Sequence, residues 1–105
     1  MIERSLGISG IQTNVSSWQA EGAQVDLLID RADRIIDLCE IKFWSGEYTI
    51  TKRSAEDLRN KIAAFREDCN PRKATHLVMI TTYGVKRNEY YNMIQNEVTM
   101  HDLLV

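Results

Sequence analysis

Cysteine is scarce: Cys39 and Cys69 are the two in the chain. They are too few to staple a disulfide-rich secreted scaffold, and no CxxC spacing or neighbouring histidine pair suits zinc, so both are expected as free thiols. No stretch approaches the roughly 20 apolar residues of a membrane span, and the first residues lack the basic and apolar regions of a secretory signal. A soluble, cytoplasmic protein with no membrane partner is the expectation. Repeats, linkers and low-complexity tracts are absent. No G-x-x-x-x-G-K-[ST] loop occurs, which excludes nucleotide binding through a Walker motif. Ser16-Ser17 has no histidine and acid arranged to support a nucleophile, which leaves serine hydrolase chemistry without a motif. Positive charge is not in excess either: the net charge of −2 argues against a nucleic-acid coat protein.

What remains is a chain of 105 residues, 44% hydrophobic, enough for one modest core and one domain. Its charge is segregated. Residues 1–40 hold three basic side chains (Arg4, Arg31, Arg34) against seven acidic, whereas residues 41–90 hold ten against six. Ile2 to Leu6 reads as the tail of a helix stopped by Gly7 or Gly10, which suggests a piece cut from a longer protein or a shortened first helix. Residues 11–18 form a weakly alternating strand. From Gln24 to Asp30, Val25, Leu27 and Ile29 alternate against Asp26, Leu28 and Asp30, and Ile35–Phe43 is apolar. These two runs flank the polar turn 31–34 and make an antiparallel hairpin. Thr51 or Ser54 can cap a helix to about Asp68 that packs through Leu58, Ile62 and Phe65. The only proline, Pro71, follows it. Ala74–Tyr83 carries Leu77-Val78-Met79-Ile80, as expected of a central strand buried on both faces, and Gly84 ends it. A loop with a short helix near Tyr90 and Tyr91 and a short strand over 97–100 complete the order.

Glu40 and Lys42 lie two apart on one strand and therefore share a face, where they interrupt the apolar series of Ile36 and Leu38. Charge there is costly without a partner. Asp26 joins them if the hairpin register sets it opposite Glu40 across a three-residue loop, Ala32-Asp33-Arg34. The facing carboxylates would repel unless a divalent cation lies between them or Lys42 compensates. Oxygen ligands suit Mg²⁺ or Mn²⁺. The catalytic candidates are thus Asp26, Glu40 and Lys42, with Asp26 and Glu40 as metal ligands and Lys42 positioning or deprotonating a water in phosphodiester hydrolysis. The alternative is a plain cross-strand salt bridge.

Weaker candidates surround them. Gln24 could orient a phosphate or a metal-bound water, and Glu21 is a remote candidate ligand. Lys52, Arg53, Arg59, Lys61 and Arg66 could track phosphates along the helix, although solvated helix surface is the better reading because Glu56, Asp57, Glu67 and Asp68 dilute them. Trp18 and Trp44 read as covers for the rim of the core rather than as base-stacking platforms. His76 and His101 have no partner at a diagnostic spacing.

Val25-Asp26 followed by Cys39-Glu40-Ile41-Lys42, set in this order of elements, resembles the PD-(D/E)XK nuclease superfamily. Gly22 to Asp30, Ile80-Thr81-Thr82-Tyr83-Gly84 and Val98-Thr99-Met100 also resemble the C-terminal domain of bacterial AAA-type ATP-binding proteins, over nearly the whole chain. Val25 stands in place of the pattern's proline, and the helix lacks the Q-x-x-x-Y signature of RecB-like nucleases. The resemblance implies an α/β, restriction-endonuclease-like core: helix, three antiparallel strands, helix, strand, in a mixed sheet of four to five strands. It implies a metal-dependent DNA endonuclease, or an inactive module that binds nucleic acid or a protein or regulates an attached or separate AAA-type ATPase. Cutting both strands of a duplex calls for two sites, which makes a homodimer the expected assembly. Covering Ile2, Leu6 and Ile8 would be a second motive.

Overall fold

A computed structural model describes residues 13–20, 23–69 and 71–104, apart from the side chain of Asp26. The expected first helix, with Ile2, Leu6 and Ile8, lies outside the described residues, as does Glu21. Strands β1 (Thr13–Ala20), β2 (Ala23–Arg31) and β3 (Ile35–Lys42) form an antiparallel meander. Helix α1 (Lys52–Cys69) leads to β4 (Ala74–Thr81), parallel to β3. A 3₁₀ turn (Tyr91–Met93), β5 (Asn96–Thr99), parallel to β4, and the short helix α2 (Met100–Leu104) follow. Among the described residues the five strands lie in sequence order in one mixed sheet. The chain is therefore α/β, as its pattern of elements implies. No helix among the described residues is long and apolar enough to cross a membrane.

The hairpin between β2 and β3 turns on Ala32-Asp33-Arg34, with Arg34 in the left-handed region at φ 69°. A three-residue loop closing on such a residue is a common hairpin geometry. The carbonyl of Arg34 accepts a hydrogen bond from the Ala74 amide at 3.1 Å, which ties the turn to the start of β4.

Helix α1 starts at a reciprocal cap. The Ser54 amide donates to Thr51 Oγ1 at 3.2 Å, and the Thr51 amide donates to Ser54 Oγ at 2.8 Å. Two otherwise orphaned donors are satisfied, the geometry of a capping box with serine in place of the usual glutamate. Near the other end, the Arg66 guanidinium donates to the Lys73 carbonyl and to Thr75 Oγ1 and ties the helix to β4. Arg66 is thus a structural residue.

The sheet buries both faces. On the helix side, Phe65 packs with Trp18, Val25, Leu28, Ile36 and Leu38, while Leu58 and Ala55 pack with Ile50, Leu77, Met79 and Val85. Ile62 is partly buried against both groups. On the other side, Ile29, Cys39, Val78, Ile80 and Val98 form a separate cluster. The run Leu77–Ile80 thus divides between faces, as a central strand requires. Burial pushes the Cys39 thiol up to about 12. The Trp18 ring meets Phe65 edge-on at 5.5 Å, and its Nε1 donates to Asp68 Oδ2 at 2.7 Å.

One facial assignment is corrected. Strict alternation would put Val25 with Ile29, yet Val25 packs on the helix side with Leu28. The β1–β2 ladder passes from Ser16↔Leu28 to Trp18↔Val25, so two residues of β2 oppose the single Ser17. An extra residue of this kind is a β-bulge, and it resets which face the strand presents beyond it.

Candidate functional site

Glu40 lies near the carboxyl end of β3, on the face that Leu38 buries against α1. Its neighbour on the parallel strand is Met79. The carboxylate is only 12% exposed and is held by two lysines. Lys61 Nζ of α1 donates to both oxygens, at 3.0 and 2.9 Å, and Lys42 Nζ stands 3.5 Å from Oε1. A carboxylate this far removed from water needs such partners, because desolvation otherwise disfavours its charged form.

These groups line a cleft of about 200 Å³ with Tyr48, Ser54, Asp57, Leu58 and Met79. The helical period supplies its α1 wall: Ser54, Asp57, Leu58 and Lys61 recur at spacings of three and four. The expectation that Glu40 and Lys42 meet is met by the distances. That Lys61 belongs to the solvated helix surface is not: the strand face it packs against carries an acid in place of another leucine. Its position beside Leu58 and Ile62 was the available signal. Asp57 and Tyr48 were also missed; neither carries a spacing that marks it.

The hairpin register is the one that the metal-site expectation needs. Leu27 pairs with Cys39 and Leu28 with Leu38. That ladder ends at Leu27↔Cys39, one residue short of Asp26. Residues 26 and 27 are also the two that oppose Ser17 at the bulge, a device often found next to active sites. The side chain of Asp26 lies outside the described residues, so Glu40 and Lys42 are the members of the expected trio that the structure brings together. No three His, Cys, Asp or Glu side chains among the described residues converge as a metal-binding group.

Of the weaker candidates, Gln24 is exposed and level with Gln19 on β1. Lys52, Arg53 and Arg59 are exposed on α1, and none of them lines the cleft. The two tryptophans divide. Trp18 is buried as expected, but Trp44 is 64% exposed and covers no core. It follows the last residue of β3 by two positions, where the chain has already left the sheet. His76 is half-buried and His101 exposed.

A second polar group lies on the opposite face of β3. Asp37 is buried, 3.4 Å from an Arg31 nitrogen and level with His76 on β4. Burial raises its carboxyl above the ordinary value, while Arg31 pulls the other way. Arg31 is held more closely by Asp33.

No protein-family model matches the sequence, and no curated protein matches it. Among solved structures, the chain is similar to the crystal structure of a protein of unknown function, AF1548, with a TM-score of 0.63 and 15% identity. The match covers 99% of this chain and 61% of that one, so the chain spans about three-fifths of that protein's length. A likeness at this identity is one of fold, and the fold is what the two proteins share.

Proposed function

We propose that this chain is a metal-dependent phosphodiesterase domain of the PD-(D/E)XK type, acting on DNA. The observation that carries the reading is the meeting of Glu40 and Lys42 in one cleft, in a hairpin of even register from Leu27↔Cys39 to Asp30↔Ile36. An acid and a lysine two residues apart on a strand, beside a strand that carries a second acid, is the arrangement this chemistry uses.

The donor chemistry fits a hard divalent cation. Glu40 and Asp57 both line the cleft, with no thiol or imidazole there to favour zinc. Asp26 and Glu40 would hold Mg²⁺ or Mn²⁺, which supplies Lewis-acid polarisation of the phosphoryl oxygen and a more acidic water. Lys42, 44% exposed at its side chain, is free enough to orient that water or to meet charge developing on the phosphoryl oxygens. Lys61 fixes the Glu40 carboxylate by its two hydrogen bonds and competes with a cation for it. That competition favours a second reading, in which the module has lost catalysis and binds nucleic acid or a protein, or serves an AAA-type ATPase.

Mn²⁺ titration and plasmid nicking separate the two. Wild type is expected to bind Mn²⁺ and to nick supercoiled plasmid. Glu40→Gln, which keeps the side chain's size, should lose metal affinity and more than about 100-fold of the nicking rate, since several kcal/mol of transition-state stabilisation go with the cation. Equal metal binding by wild type and a folded Glu40→Gln protein would sink the catalytic reading.

A further inference from the structure

Beside the cleft lies a second cavity of about 300 Å³, walled by Trp44, Glu47, Tyr48 and Thr49. Tyr48 lines both, so the two adjoin. The main chain around them is fastened. The Tyr48 amide donates to the Gly84 carbonyl and the Lys86 amide to the Tyr48 carbonyl, each at 2.9 Å, and the Trp44 amide donates to Thr82 Oγ1 at 3.2 Å. On this anchored backbone three large rings face water: Phe43 is 56% exposed, Tyr83 61% and Trp44 64%. All three follow within two residues of the point where the parallel strands β3 and β4 end side by side, at Lys42↔Thr81.

The two segments that the Tyr48–Val85 bridge joins have a balance of charge opposite in sign to that of the whole chain. These segments, 42–53 and 84–91, carry the exposed cations Lys42, Lys52, Arg53, Lys86 and Arg87 against the acids Glu47 and Glu89. Exposed aromatic rings on segments with an excess of exposed cations suit a polyanion with flat apolar groups better than they suit an apolar protein surface. Inside a duplex each base face is covered by its neighbours, so an unpaired base offers a face to an indole at the least unstacking cost.

We infer that Trp44 and the cavity beside it stack an unpaired nucleobase, so that the strand lying in the Glu40–Lys42 cleft is single-stranded there. The substrate class rests on the phosphodiesterase reading; the stacking itself needs none of that chemistry and is tested without metal. In EDTA, an oligothymidylate of about eight residues should quench the emission of the exposed Trp44 and bind at least about tenfold more tightly than a stable hairpin duplex of mixed sequence. Trp44→Ala should lose about tenfold in strand affinity and Trp44→Phe most of the quenching but little affinity, both with unchanged thermal unfolding. Trp44→Ala should also bind Mn²⁺ as wild type does. Loss of strand binding in Trp44→Ala stands as support even if Glu40→Gln shows that no metal is held, so the two readings fail separately. Equal strand affinity of wild type and Trp44→Ala, or tighter binding of duplex, would overturn the inference. So would the absence of any strand binding at several hundred micromolar, which would leave the rings to a protein partner.

Discussion

Along β3, Asp37 and Glu40 are both removed from water, on opposite faces and with different consequences. Glu40 is closed between Lys42 and Lys61, whereas Asp37 meets Arg31 only at 3.4 Å, and that guanidinium is already engaged by Asp33. The groups around Asp37 are Arg31 on β2, His76 on β4, Asp33 in the turn and Cys39 on its own strand, with burial the strongest influence on its carboxyl. A carboxyl whose folded-state value lies above its unfolded value of about 3.9 keeps its proton over an interval where the unfolded chain has lost it. Its contribution to stability is therefore complete below pH 3.9 or so and declines as pH rises through the folded-state value. Asp37→Asn stays neutral throughout, so the stability of wild type relative to this variant should fall as pH rises above about 4. Urea unfolding of both proteins from about pH 4 upward checks it; Asp102, pulled the other way and remote from Arg31, cancels in the difference. A difference that stays flat with pH would show that Asp37 titrates as an ordinary carboxyl.

At the scale of elements, what the sequence made legible followed periodicity and turn chemistry. Leu58, Ile62 and Phe65 repeat at helical spacing, and a helix covering Lys52–Cys69 packs through them. The even register of the hairpin was readable because a three-residue turn and the apolar faces of two strands had to agree. The bulge was not readable, since no glycine marks it and its cause lies in how β1 pairs rather than in β2 itself. Lys61 and Trp44 were misplaced for a related reason: whether a lysine meets an acid, or an indole meets a core, depends on which strand end comes alongside. The hairpin turn also carries a local strain that can be measured. Arg34 occupies the left-handed region, which costs a side-chain-bearing residue about 1–2 kcal/mol, while glycine there loses about 0.5–1 kcal/mol in chain entropy. Arg34→Gly keeps the carbonyl that receives the Ala74 amide, so it should stabilise the protein by about 0.5–1 kcal/mol, seen as a higher midpoint in thermal unfolding. An unchanged or lower midpoint would mean that the arginine side chain contributes more than its conformation costs.

For the whole molecule, under the proposed phosphodiesterase reading, a strand unpaired at Trp44 changes what assembly the chemistry demands. Cutting both strands of a duplex calls for two sites related by a twofold axis, which is why a homodimer is the expectation from a nuclease core alone. A strand that must be unpaired to reach Trp44 needs only one site. Supercoiled plasmid supplies such strands where torsional stress opens it, and relaxation after the first nick removes them. The protein should therefore convert supercoiled plasmid to the nicked circle and stop there, at a rate proportional to protein concentration. Light scattering of the same samples should give the 12.1 kDa mass of one chain. Obligate dimer action would instead give a rate rising with the square of concentration below the dimer's dissociation constant, and linear product without a nicked intermediate. The two kinetic orders differ tenfold in rate for each tenfold dilution, so a dilution series on one plasmid decides between a single-site enzyme working on open strands and a twofold enzyme working on duplex.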